Sequence, residues 1–208
     1  MSDGKPASEN LDVEALRRGD KAEFARLVEA YSGVIYRLAM KMLHDPQDAE
    51  DILQETFVKA YRYLGGFDGR SSLSTWLYRI ATNEALMFLR RQRFGHVSID
   101  DPSGGEEQDA EPMQILDWCC IPEVELMSDE ARRTMQQAVD TLPESLRVVF
   151  LLRDIEGLST REVSQVLDLS EVAVKTRLSR ARLRLRELLT AYFGERAAAK
   201  QALPGGEN

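Results

Sequence analysis

Apolar residues return every three or four positions along the early part of the chain. Phe24, Leu27, Val28 and Tyr31 do so, and then Val34, Ile35, Leu38, Ala39 and Met42. That spacing is helical. His44-Asp45-Pro46 predicts a break, because proline cannot continue a helix and restrains the residue before it. A new helix is expected from Pro46 to Leu64. Gly65, Gly66 and Gly69 predict a loop, and the hydroxyls between Ser71 and Ser74 can cap the next helix. That third long helix runs through Trp76, Leu77, Ile80, Ala81, Ala85 and Leu89. No internal repeat and no useful strand-like alternation interrupts this pattern.

The pattern stops near His96. From there to Glu130 the chain has no Lys or Arg, while Asp, Glu, Pro and Gly are frequent. Such a segment buries too little apolar surface to offset its ordering entropy and reads as a flexible acidic linker. Met113, Ile115, Leu116 and Trp118 form a short apolar island inside it. Helical periodicity resumes near Ala131 and lasts to Phe193, and an Ala- and Gly-rich tail comes after Gly194. The expected fold is all-α: two small helical domains, 11–94 and 131–193, joined by the linker 95–130, with a tail at 194–208.

Composition narrows the class. The 208 residues suit one domain of ordinary size or two small ones, and 43% hydrophobic with 30% charged residues suits packed soluble cores. No apolar run approaches the roughly 20 residues of a membrane-spanning helix. The polar start, Met1 to Asn10, lacks a signal-peptide core, so a cytoplasmic protein without membrane insertion is expected. The only cysteines, Cys119 and Cys120, are adjacent. That excludes a disulfide framework and supplies too few ligands for a structural metal site. No cofactor is expected.

A net charge of −8 argues against nucleic acid only until its distribution is read. The acid gathers in the linker, whereas the last helical stretch is basic. Thr160 to Leu167 forms a short amphipathic helix, Asp168-Leu169-Ser170 a turn, and a second helix comes next. Ser170 can cap it, and Glu171 suits its positive end. Val174, Leu178, Ala181, Leu185 and Leu188 are expected to make one buried stripe. Lys175, Arg177, Arg180, Arg182, Arg184 and Arg186 flank it, and Val172, Thr176 and Ser179 face outward. This is a helix-turn-helix whose second helix suits the major groove. Cations hold phosphates, while Lys175, Thr176, Ser179 and Arg180 can reach base edges. The competing reading is a solvated amphipathic helix, or one packed on an acidic partner.

TLPESLRVVF at Thr141–Phe150, GLSTREV at Gly157–Val163 and VKTRLSRAR at Val174–Arg182 together resemble region 4 of the extracytoplasmic-function sigma factors, in the sigma-70 family. The first domain carries independent matches. DAEDILQETF at Asp48–Phe57 is similar to region 2.2. FDGRS at Phe67–Ser71 and TWLYRIATN at Thr75–Asn83 are similar to region 2.3 and its flank. The resemblance implies a non-enzymatic factor that directs core RNA polymerase to promoters and helps melt them. It implies polymerase docking, on the β′ clamp helices and the β flap, with Asp48, Asp51, Gln54 and Glu55 on the clamp-helix face. It implies minus-ten capture and melting by Phe67, Arg70, Ser71, Thr75, Trp76, Arg79 and Asn83. It implies minus-thirty-five reading by Lys175, Thr176, Arg177, Ser179, Arg180 and Arg182. An anti-sigma factor is a further implied partner. Two positions depart from the family pattern. Asp168 stands where glycine is frequent, and Asp tolerates left-handed backbone better than most residues. Met87 stands where an acidic residue is often found, four positions after Asn83.

Physical chemistry points the same way. Asp51 and Glu55 lie four apart, so they share a helix face fit for a basic partner, or for solvent. Phe67, Trp76, Tyr78 and Tyr61 sit in sequence among Arg70, Arg79, Arg62 and Lys59, a mixture suited to unstacked bases. Asn83 can bind a base edge or brace the glycine loop. Two other functions compete. A regulator of another helix-turn-helix kind would bring a ligand or phosphoacceptor domain, for which the first domain has no pattern. A thiol redox enzyme would be expected to space its cysteines as C-x-x-C.

Overall fold

The computed structural model describes residues 11–96 and 129–202, and these residues are helical throughout, with short turns. The predicted linker, with its apolar island and both cysteines, lies outside the described residues, as do Met1–Asn10 and the last residues of the tail. Eight α-helices are described: α1 Val13–Arg17, α2 Lys21–Leu43, α3 Pro46–Tyr63, α4 Leu73–His96, α5 Asp129–Asp140, α6 Glu144–Phe150, α7 Thr160–Leu167 and α8 Glu171–Ala202, with a 3-10 turn at Leu64–Gly66 and a π-helical turn at Leu151–Ile155.

Each boundary has a local cause. Asp12, Asp20 and Asp45 accept backbone N–H groups at the starts of α1, α2 and α3. His44 closes α2 in the left-handed region at φ 62°, and Pro46 opens α3, so the two helices reverse direction over very few residues. Ser72 Oγ accepts from Thr75 N at 3.1 Å and caps α4. Ser159 and Glu162 form a reciprocal capping box at the start of α7. The S-T-R-E run at Ser159–Glu162 carries that signal, although sequence reasoning did not use it.

The described residues pack as two compact units. The first contains α1 to α4 and also the segment Leu151–Glu171, which includes α7. Its centre is built from fully buried Leu27, Tyr31, Ile35, Leu38 and Leu77, with Ala49 and Ala60 allowing close approach on α3. Helices α2, α3 and α4 pack on one another, and α7 packs on α4. The second unit contains α5, α6 and α8 from Val172 onward. The stripe on α8 holds with one change: Val174, Leu178, Ala181, Leu185 and Leu189 are buried, whereas Leu188 is 40% exposed. Leu188 and Leu189 stand about equally far, in helical angle, from the centre of the other four positions. Packing, not spacing, buries Leu189 in preference to Leu188.

Candidate functional site

The loop between α3 and α4 is built by local chemistry. A short 3-10 turn, Leu64–Gly66, ends at Phe67. Asp68 accepts from Arg70 N at 3.1 Å and pairs with Arg70 Nε at 2.7 Å. Gly69 between them has φ +75°, which a side chain would strain. Phe67 is buried and meets the Trp76 ring at 5.4 Å between centroids, tilted 55°. The Phe67 carbonyl accepts from Arg17 Nε at 2.6 Å and also from Nη2 of the same guanidinium. Arg17 of α1 thus holds the loop from fifty residues away. Sequence reasoning missed it, because nothing near Arg17 marks it apart from other surface cations.

This loop and α4 enclose a cavity of about 380 Å³, lined by Gly66, Phe67, Asp68, Arg70, Ser71, Thr75, Trp76, Arg79, Gln165 and Asp168. All the predicted minus-ten residues except Asn83 are therefore brought together. They differ in burial. Thr75 is buried and shares a 2.7 Å hydrogen bond with Ser72, so its hydroxyl supports the helix start. Trp76 is half-buried, and Arg70 and Arg79 are exposed. Asn83 is exposed on the helix face that also carries Trp76 and Arg79. Tyr78 and Tyr61 do not join them. Tyr78 is buried, and its hydroxyl donates to Glu156 Oε2 at 3.1 Å. Burial, with Glu156 beside it, pushes the phenol well above its usual range.

Asp51, Gln54 and Glu55 are exposed on α3, and Asp48 is half-buried. Partial desolvation, with Asp45 and then Asp51 nearby, raises the Asp48 carboxyl above its ordinary pKa. Like charges so crowded favour a cationic partner. Lys59 offers one side of the face a local partner: it pairs with buried Glu84 at 2.6 Å and with Glu55 at 3.4 Å. The hydrogen bond to Glu84 is the main reason its ammonium is held above the usual range. The same face continues into an apolar groove of about 470 Å³ lined by Phe24, Gln54, Phe57, Val58, Tyr61 and Arg62. Val58 is 43% and Tyr61 46% exposed, and Tyr61 meets the Phe24 ring edge-on at 4.9 Å. Sequence reasoning found the acidic half of this face. The apolar half was legible as exposed positions at helical spacing from Gln54.

Helix α7 matches the predicted residues, and Asp168 closes it in the left-handed region at φ 54°. On α8, Lys175, Arg184 and Arg186 are exposed, while Thr176, Arg177, Ser179, Arg180 and Arg182 are half-buried. Val172, Thr176, Ser179 and Arg180 lie opposite the buried stripe by helical geometry, and Val172 is 63% exposed.

Comparison with known proteins gives this arrangement its class. Residues 27–94 match sigma-70 region 2, and residues 132–185 match sigma-70 region 4. The chain is 40% identical over 174 residues to the RNA polymerase sigma-H factor of Pseudomonas aeruginosa, covering 82% of this chain and 88% of that protein. It is 36% identical over 177 residues to the ECF RNA polymerase sigma factor SigW of Bacillus subtilis, covering 85% and 94%. Among solved structures, CnrH in complex with the cytosolic domain of CnrY superposes with a TM-score of 0.62 at 25% identity, covering 86% of this chain and 95% of that one. The chain belongs to the extracytoplasmic-function sigma factors of the sigma-70 family, with regions 2 and 4. It is a non-enzymatic RNA polymerase sigma factor that directs transcription initiation.

No helix among the described residues is long and apolar enough to cross a membrane.

Proposed function

We propose that this sigma factor works in the cytoplasm and divides its labour among three surfaces. The α3 face carrying Asp48, Asp51, Gln54 and Glu55 docks on the β′ clamp helices of RNA polymerase. Its neighbouring groove at Val58 and Tyr61 supplies an apolar centre, and the carboxylates supply a polar rim. The cavity beneath Phe67–Ser71, with Trp76, Arg79 and Asn83, holds extruded bases of the minus-ten element. Helix α8 reads the minus-thirty-five element, with Lys175, Thr176, Ser179 and Arg180 toward base edges and Arg177 and Arg182 toward phosphates. The region carrying α8 also meets the β flap. The acidic linker threads a basic channel of the polymerase.

One observation carries this reading. An aromatic ring, two exposed guanidiniums and a glycine turn line a single cavity, which is the chemistry that unstacked bases require. The reading also includes an anti-sigma partner, which is supported by structural neighbours of this chain being complexes with anti-sigma factors.

Run-off transcription with core polymerase on genomic fragments tests the whole. Wild type is expected to produce discrete transcripts. Asp51→Lys with Glu55→Lys is expected to lose core binding while circular dichroism stays unchanged. Unchanged core affinity in that double reversal rejects the docking face.

A further inference from the structure

Helix α8 carries two uncharged stripes, and packing explains only one of them. Val174, Leu178, Ala181, Leu185 and Leu189 are buried and hold the helix in its unit. On the other side Val172, Thr176, Ser179 and Leu183 fall within an arc of about 60°. None of these four is charged, and Val172, Thr176 and Leu183 end in methyl groups. Lys175 and Arg186 border this second stripe on one side and Arg180 on the other. Val172 is 63% and Leu183 41% exposed, so neither fills the core. Val172 stands in the first turn of α8, where a β-branched side chain brings no gain in helix propensity. The major groove has a matching cross-section. Phosphates flank it, and its floor presents hydrogen-bonding edges and, at each thymine, a C5-methyl group.

We propose that Val172 is a specificity-determining residue that reads thymine in the upstream promoter element through the C5-methyl group, with the Thr176 methyl beside it. The inference rests on the reading of α8 as the minus-thirty-five helix. It adds an apolar contact to the polar set of Lys175, Thr176, Ser179 and Arg180. Cytosine at the same place presents an amino donor and no methyl, so the contact separates T·A from C·G without a hydrogen bond from Val172. Position along the helix selects Val172 over Leu183. Helix-turn-helix proteins present the start of the second helix to the groove. Leu183 lies about 16 Å further along the axis. Glu187, one turn beyond Leu183 on the same side, would repel phosphates.

The test uses the holoenzyme, assembled from the full chain and core polymerase. Selection from a randomised duplex library first gives the preferred upstream element. Each thymine in it is then replaced in turn by deoxyuridine, which lacks only the methyl group, and affinity is read by competition at fixed salt. One thymine is expected to give a loss of about fourfold, the equivalent of one buried methyl group. Val172→Ala is expected to keep its circular dichroism, to lose about the same factor on the thymine duplex, and to be indifferent to deoxyuridine at that position. Leu183→Ala is expected to keep the deoxyuridine penalty. Deoxyuridine tolerated at every position by wild type overturns the proposal, as does a preferred element without thymine. A penalty that persists undiminished in Val172→Ala, or one that disappears in Leu183→Ala instead, overturns the assignment to Val172. A different outcome marks failure of the α8 reading itself: a preferred element that Lys175→Ala and Arg180→Ala both leave unchanged.

Discussion

The cavity on α4 and the outward face of α8 put DNA-facing chemistry on different ground. Around the cavity, functional and structural duties overlap. Phe67 and Thr75 are buried, Trp76 is half in the core, and the loop geometry depends on Gly69 and on Arg17. On α8 the duties separate, since a buried stripe holds the helix and the cations lie off it. A residue that must both pack and bind is hard to exchange. A residue on a solvated helix face is easy to exchange, so specificity can drift there without cost to the fold.

Four measurements can break or sharpen this contrast. The largest effect is expected at Trp76. Stacking on an aromatic ring is worth about 1–3 kcal/mol per base, so Trp76→Ala should slow promoter opening by about ten- to a hundredfold, read by permanganate reactivity of thymines. Asn83→Ala should leave closed-complex binding nearly normal and slow the same step less. Opening at the wild-type rate in both would move base capture away from this cavity.

Arg17 tests how far the cavity depends on its support. Arg17→Ala leaves the Phe67 carbonyl without its guanidinium donors and should cost about 1–3 kcal/mol in urea unfolding. Promoter opening should slow although Arg17 does not line the cavity. A loss of stability with a normal opening rate would show that the loop keeps its shape unaided.

On α8 the expected changes concern choice rather than fold. Arg180→Ala should cost about 1–3 kcal/mol on the preferred sequence and relax preference at one base pair. Arg186→Ala should weaken binding on all sequences and lower the salt slope by about one unit. Selection from a randomised duplex library by the full holoenzyme distinguishes them. An unchanged preferred sequence in both Lys175→Ala and Arg180→Ala would reassign the base readers.

The smallest effect is in alkali. Lys59 and Tyr78 both have folded pKa values raised above their ordinary 10.5 and 10.0. The unfolded chain therefore loses these protons first. Their stabilisation is complete below those ordinary values and is lost as pH rises beyond them toward the folded values. The melting temperature should hold near neutrality and fall above about pH 10. Tyr78→Phe should blunt that fall, and an identical alkaline profile would remove Tyr78 from the account.

Much of this is legible in the order of residues. Proline, glycine and capping side chains act on their neighbours, so the break at His44–Pro46 and the bounds of α7 come from local rules. Asp168 takes the left-handed turn expected of it. Motif likeness names the residues around the cavity, and they do converge, apart from Asn83, which does not line it. Pairings across the fold are not legible. Tyr61 and Tyr78 look alike among their cationic neighbours, yet one edges an apolar groove and the other is sealed against Glu156. Glu156 and Arg17 find partners through packing, which no short window records. Leu188 is misassigned because helical spacing alone does not separate it from Leu189, and packing decides between them.

The tight junction at His44, Asp45 and Pro46 has a consequence in time. Helices α2 and α3 meet through near neighbours in the chain, so their association closes a short loop at little entropic cost. The cavity needs Arg17 to find Phe67 across fifty residues, and its wall at Gln165 and Asp168 needs Glu156 to find Lys41 across 115. During folding, amides of the α2–α3 hairpin should therefore gain protection first in pulsed hydrogen exchange, and those of α7 last. A nascent chain would display the proposed polymerase-docking side of α3 before it has a pocket able to hold DNA.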